Sequence, residues 1–143
     1  MANILIKVIL ISLLLFCGVQ DIRKKTILLW VIILGAVLTV ICLPFCQSCS
    51  ILDRMCGAGI GISVAIISIA TSGKIGMGDA MLLCITGLGL GFWGNLELFA
   101  IALLLASIIS IVLLVTRLAD RKKSIPFVPF MMVSYVFLLF AGR

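Results

Sequence analysis

The sequence predicts an all-α, polytopic membrane protein of about six transmembrane helices. Of its 143 residues, 64% are hydrophobic and only 11% are charged, and the mean hydropathy is +1.45. A soluble domain of this size does not need so much apolar surface. A membrane-spanning helix takes about 20 apolar residues, and the chain consists largely of apolar runs near that length joined by short polar segments. We therefore expect a single transmembrane domain over residues 1–143.

The apolar runs give the positions of the helices, which we predict at residues 4–19, 27–43, 57–71, 80–93, 96–115 and 126–141. The first run is interpreted as a retained span, because Phe16 occupies the place where a lipoprotein signal needs a small residue. Two glycine pairs, Gly57 with Gly61 and Gly87 with Gly91, have the spacing that lets helices approach closely. A packing role is favoured over a catalytic role for these glycines.

The charged residues predict the orientation in the membrane. The chain has 11 basic and 5 acidic residues, a net charge of +6. The loops after the first, third and fifth predicted helices hold Arg23, Lys24, Lys25, Lys74, Arg117, Arg121, Lys122 and Lys123, and the opposite side holds Lys7, Arg54 and Arg143. Because basic loops stay in the cytoplasm, both termini are predicted outside it, in a multi-pass protein of the cell membrane. No basic face is free for nucleic acid.

Two aspartates lie where apolar runs begin or end. Asp21 ends the first run, and Asp79 closes the segment Gly76-Met77-Gly78-Asp79 just before the fourth run. A carboxylate at a membrane boundary is costly unless it is paired or used, so each is a candidate functional residue. Both fall on the predicted cytoplasmic face, and Gly76 and Gly78 would give the backbone freedom to bring Asp79 to its partner.

The other acidic residues fit a catalytic role poorly. Asp53 and Glu97 fall on the predicted outer face, and Asp120 lies among basic residues in a loop. For Asp21 itself, an ordinary polar helix end beside Arg23 remains an alternative.

A pair of aspartates from two helices can hydrolyse a peptide bond without metal or cofactor. One carboxylate takes a proton from a shared water, and the other, protonated, donates to the carbonyl oxygen of the substrate. Two close carboxylates cannot both ionise cheaply, so such a pair holds one proton between them. The sequence therefore predicts an aspartyl protease of the membrane.

Three segments, in this order, resemble the prepilin peptidases over almost the whole chain. They are Asp21-Ile22-Arg23 with Ile27, the Gly76-Met77-Gly78-Asp79 segment with the following glycine-rich run, and Ile125-Pro126-Phe127-Val128-Pro129-Phe130. The resemblance implies that Asp21 and Asp79 are catalytic and that Gly76, Gly78, Pro126 and Pro129 support the site. It also implies membrane-inserted prepilin or pseudopilin precursors as substrates, cut at the cytoplasmic face after a short basic leader.

The chain departs from the family pattern at several positions. Leu28-Leu29 replaces a Pro-Asn pair, Met81 replaces a common lysine, and Val128 replaces the glycine of I-P-F-G-P-F. These changes suggest altered substrate contacts but leave both carboxylates in place. The chain has no room between its first spans for the cysteine-bearing loop linked to pilin methylation, so the resemblance implies a form with peptidase activity alone.

The six cysteines leave several interpretations open. A disulfide from Cys46 or Cys49 to Cys56 suits an outer loop, and a zinc site formed with Cys42 is conceivable. Small apolar side chains are about as plausible, above all for Cys17 and Cys84.

A second class of function remains open as well. The chain would then be a non-catalytic membrane subunit or a small ion-coupled transporter in which Asp79 relays protons or cations. That function needs only one of the two aspartates. The sequence also leaves open whether copies of the chain assemble into a homo-oligomer within the lipid bilayer.

Overall fold

The computed structural model describes residues 2–24, 29–45, 50–71, 76–116 and 126–141, and the regular structure in these ranges is entirely helical. The helices are α1 (Ala2–Lys24), α2 (Leu29–Cys42), α3 (Ile51–Ala70), α4 (Met77–Val115) and α5 (Val128–Phe140), with a short 3-10 turn at Leu43–Phe45. The all-α prediction is confirmed for these residues. Within them, Ile4–Asp21, Ile51–Ala70 and Met77–Val115 are long and apolar enough to cross a membrane, and α2 and α5 are apolar but shorter.

Helix α4 contains both the fourth and the fifth predicted helices and bends sharply at Gly91. Gly91 has φ 77° and ψ −176°, a backbone conformation that glycine adopts and other residues avoid. The side-chain amide of Asn95 donates to the Leu83 carbonyl at 3.0 Å. In a straight helix these residues would be about 18 Å apart along the axis. The chain therefore folds back at Gly91, and we call residues 77–90 the first arm and residues 92–115 the second arm.

Helix α3 packs against α4 at backbone-to-backbone distance, as the glycine spacing predicted. A methyl group at Gly57 would lie 2.6 Å from the Gly87 carbonyl oxygen, and one at Gly61 would lie 2.3 Å from the Cys84 nitrogen. Neither neighbour is a flexible side chain that could move aside. The prediction that these glycines serve close helix packing is confirmed.

Two charged residues predicted for an outer loop instead belong to α3, which begins at Ile51 rather than at residue 57. The Phe92 N–H donates to Asp53 Oδ1 at 3.3 Å, and Arg54 Nη1 donates to the Leu88 carbonyl at 2.9 Å. The bend at Gly91 interrupts the helical hydrogen bonds on both sides. Asp53 and Arg54 thus supply hydrogen-bond partners to the backbone that the bend interrupts.

Helices α1, α2 and α5 all contact α4. Helix α1 contacts α2 and α5, and α4 contacts α2 and α5 as well as α3. Leu10, Leu83 and Met131 are among the fully buried side chains where α1, α4 and α5 meet. The hydroxyl of buried Tyr135 on α5 donates to the Lys7 carbonyl of α1 at 3.2 Å. Many large apolar side chains elsewhere are exposed, Trp30 at 78% for example, as expected of helices that face lipid.

Candidate active site

Asp79 lies in the first turn of α4, and Gly76 occupies the N-cap position of that helix. Gly76 has φ −61° and ψ 118°, which any residue adopts, and Gly78 is helical. Gly76 therefore does not require the backbone freedom of glycine, although the sequence predicted that it would. The structure gives a steric reason instead, since a methyl group at Gly76 would lie 2.7 Å from Asp79 Oδ2.

Asp21 lies near the C-terminal end of α1 and is only 9% exposed. The backbone N–H of Val128, the first residue of α5, donates to Asp21 Oδ2 at 3.3 Å. A solvated helix end, the alternative interpretation of Asp21, does not match this buried position. The side chain of Arg23, which that alternative involved, lies outside the described residues.

The two aspartates lie at one end of the helical bundle, within electrostatic range of each other. Asp21 is near the end of α1, and Asp79 is in the first turn of α4. The first and second sequence segments of the predicted site are thus brought together. The hydrogen bond from Val128 joins the third segment to them.

The two prolines lie at the start of α5, beside this pair. Pro126 precedes the helix, and Pro129 is in its first turn, where a proline costs no helical hydrogen bond. Gly18 of α1 faces Pro129, and a methyl group at Gly18 would lie 3.8 Å from the Pro129 Cα, an ordinary contact distance. The prolines therefore fix where α5 begins, next to the end of α1.

Sequence reasoning missed a polar cluster inside the α4 bend. Asn95 is fully buried, and its Oδ1 accepts a hydrogen bond from the Thr86 hydroxyl at 2.7 Å. Its amide donates to the Gly57 carbonyl at 2.9 Å as well as to Leu83. Asn95 thereby joins α3 to both arms of α4. The available signal is an amide side chain close to long apolar runs, at a position where the sequence predicts the connection between two helices.

The cysteines show no sign of a metal centre in the described part of the chain. No group of three or more His, Cys, Asp or Glu residues there could hold a metal ion. Cys17, Cys42, Cys56 and Cys84 are free thiols, and Cys56 lies within α3 rather than in a loop. Cys46 and Cys49, the other members of the predicted disulfide or zinc site, lie outside the described residues.

Most of the basic residues that predicted the orientation also lie outside the described ranges. They are Lys25, Lys74, Arg117, Arg121, Lys122, Lys123 and Arg143, and the side chain of Lys24 is not described either.

A bundle of apolar helices with two interacting carboxyl groups at one end defines a membrane protein with an acidic pair. The profile of the type IV leader peptidase family matches residues 8–115, which include both Asp21 and Asp79. The chain belongs to that family, whose members are aspartic-type proteases. Searches of curated proteins and of solved structures gave no match.

Proposed function

We propose that this protein is an aspartic endopeptidase that removes the short leader from prepilin-like precursors, with Asp21 and Asp79 as its catalytic pair. The observation that supports the proposal is that these two carboxyl groups, from α1 and α4, lie within electrostatic range of each other inside the region that matches the leader peptidase family. Asp53, by contrast, accepts a backbone hydrogen bond at the α4 bend. It therefore has a structural task.

The proposed reaction needs only water and the two side chains. One carboxylate accepts a proton from the water as the water oxygen attacks the carbonyl carbon of the scissile peptide bond. The other carboxyl group donates its proton to the carbonyl oxygen, which gives a tetrahedral intermediate. The intermediate collapses as the C–N bond breaks and the leaving amine takes up a proton from the pair.

We further propose that the chain crosses the cell membrane six times, with the active site at the cytoplasmic face and both termini on the other side. The bend at Gly91 supports this, because the two arms of α4 then form separate spans. The substrate would be a prepilin or pseudopilin already inserted in the bilayer. Its scissile bond would lie at the level of Asp21 and Asp79.

Co-expression with candidate precursors from the same genome tests the proposal. Leader removal is followed by gel shift and N-terminal sequencing for the unaltered chain and for the Asp21→Asn and Asp79→Asn variants. Asparagine keeps the side-chain size but not the carboxylate, so cleavage should fall at least about a hundredfold in each variant. Asp53→Asn is the matched control, because its amide oxygen can still accept from Phe92.

The possible results separate the function classes. Loss of cleavage in both variants, with protein levels unchanged and Asp53→Asn active, supports the acidic pair. Cleavage that survives either substitution would rule out the two-aspartate mechanism. Failure of the unaltered chain to process any candidate, although it is folded in the membrane, would favour a non-catalytic membrane subunit.

A further inference from the structure

The start of α5 contacts Asp21 through a backbone atom rather than through a side chain. The donor is the N–H of Val128, and the acceptor is Asp21 Oδ2, at 3.3 Å. Val128 itself is fully buried, and its side chain belongs to the apolar core. This contact therefore joins two of the three sequence segments of the site without any polar side chain on α5.

The Val128 N–H is free for this contact because it belongs to the first turn of a helix. The first N–H groups of a helix have no acceptor one turn earlier. In α5 the earliest helical hydrogen bonds come from Phe130 and Met131, both to the Phe127 carbonyl. Asp21 Oδ2 thus accepts a hydrogen bond that the helix does not use, at an end where the helix dipole favours a carboxylate.

The contact also distinguishes the two oxygens of Asp21. Oδ2 is bound to the Val128 N–H, whereas no hydrogen bond from the described residues reaches Oδ1. A carboxylate held by one oxygen keeps a fixed side-chain rotamer. The other oxygen then has a defined direction in which to meet a water molecule.

We propose that the backbone N–H of Val128 is a positioning group of the active site, which orients the Asp21 carboxylate toward the attacking water. The inference rests on the proposed function and deepens it. It also accounts for the valine found where the resembling family has glycine, because either residue supplies the same N–H. The side chain at position 128 can therefore vary while the backbone donor stays.

An amide-to-ester replacement tests this inference. Val128 is replaced by its α-hydroxy acid in cell-free synthesis, which exchanges the N–H for an ester oxygen and keeps the side chain. The matched control is the same replacement at Val133, an exposed valine of the same helix. The control ester removes an ordinary helical hydrogen bond, whereas the ester at Val128 removes the bond to Asp21. Each ester also weakens the preceding carbonyl as an acceptor, which at Val128 is the Phe127 carbonyl that Phe130 and Met131 use, and the control reproduces that effect.

We expect the Val128 ester to lower kcat for precursor cleavage by about tenfold to a hundredfold, the rate equivalent of one lost hydrogen bond to a carboxylate. KM should stay at the value of the unaltered protein, and the unfolding midpoint in detergent should fall by about as much as it does for the Val133 ester, since each ester removes one backbone hydrogen bond. The Val133 ester should leave kcat unchanged. A Val128 ester with the same kcat as the Val133 ester, or one that changes only KM or the unfolding midpoint, would overturn the inference.

The aspartate variants, measured in the same assay, separate this inference from the proposed function. If Asp21→Asn and Asp79→Asn abolish cleavage and the Val128 ester is harmless, the inference alone is wrong. If the aspartate variants stay active, the proposed function is wrong and the inference fails with it.

Discussion

At Gly76 the structure places the Asp79 carboxylate in the space that a β-carbon would need. The backbone conformation of Gly76 is open to alanine, but the added methyl group would lie 2.7 Å from Asp79 Oδ2. Gly76→Ala should therefore displace the Asp79 carboxylate from its present position without disturbing the helix. We expect kcat for precursor cleavage to fall about tenfold or more, as misplacement of a catalytic group does, with unchanged thermal unfolding.

Gly59→Ala is the control for this substitution. A methyl group at Gly59 meets nothing within 4 Å, so this variant should keep both activity and stability. A Gly76→Ala variant as active as Gly59→Ala would show that the packing of Gly76 against Asp79 does not matter for the reaction.

Asp21 and Asp79 could be identified from the sequence as candidate site residues, because carboxylates are rare at the edges of apolar runs. The contribution of Val128 could not be selected, since its donor is a backbone N–H that every residue except proline carries. Gly76 could also be identified as a candidate, but the reason expected from the sequence was backbone freedom. Its φ of −61° is open to other residues, and a β-carbon there would instead meet the Asp79 carboxylate.

Among the helices, α4 depends most on buried polar contacts. Asn95→Leu keeps roughly the same volume but leaves the Thr86 hydroxyl with only the Leu83 carbonyl as acceptor and removes two donated hydrogen bonds. We expect it to lower the free energy of unfolding by about 1–2 kcal/mol, in the range measured for polar contacts inside membrane proteins. Equilibrium unfolding in mixed micelles of detergent and denaturant measures this value.

Ser110→Ala is the matched control for the Asn95 substitution. The Ser110 hydroxyl donates only within its own helix, to the Ala106 carbonyl, and the residue is exposed. Its removal should change stability by a few tenths of a kcal/mol at most. Equal stability of the two variants would contradict the role of Asn95 as the link between the arms.

The α4 bend does not lie where the sequence predicts the break between two helices. The sequence predicted a break after residue 93, where Gly94 and Asn95 interrupt the apolar pattern. The structure turns at Gly91 and encloses Asn95, because a buried reversal must satisfy its own backbone and side-chain groups. Hydropathy and glycine content report that a break exists nearby. They do not report which polar residue the fold encloses.

For the whole molecule, the bend at Gly91 decides whether the ends of α3 and α4 lie on the same side of the membrane. If the two arms are separate spans, the end of α3 and the end of α4 lie on the same side of the membrane. If α4 crosses the membrane once as a single span, they lie on opposite sides. Reporter enzymes active only outside the cytoplasm, fused after Thr71 or after Thr116, distinguish the two arrangements.

We expect neither fusion to show reporter activity, because the basic loops place these two ends in the cytoplasm, where the reporters are inactive. A fusion at the C-terminus should be active and serves as the positive control. Opposite results for the Thr71 and Thr116 fusions would contradict the six-span topology.

The all-helical architecture of the described residues could be predicted from hydropathy, and close helix packing at Gly57, Gly61 and Gly87 from the glycine spacing, but not that α3 pairs with α4. That Asp21 and Asp79 lie within electrostatic range of each other could be expected only if both aspartates were on the same membrane face. The caps that Asp53 and Arg54 provide could not be predicted, because their partners are backbone groups that become available only once the chain bends. Long-range contacts of this kind depend on the assembled bundle.

The most direct test of the central claim is cleavage of one prepilin-like precursor by the purified protein in lipid vesicles. The unaltered chain, Asp21→Asn, Asp79→Asn and Asp53→Asn are compared, and the product N-terminus is read by mass spectrometry. The acidic-pair account predicts a single cut at the leader junction for the unaltered chain and Asp53→Asn, and none for the other two. Cleavage by Asp21→Asn or Asp79→Asn at a rate near that of the unaltered chain would contradict it.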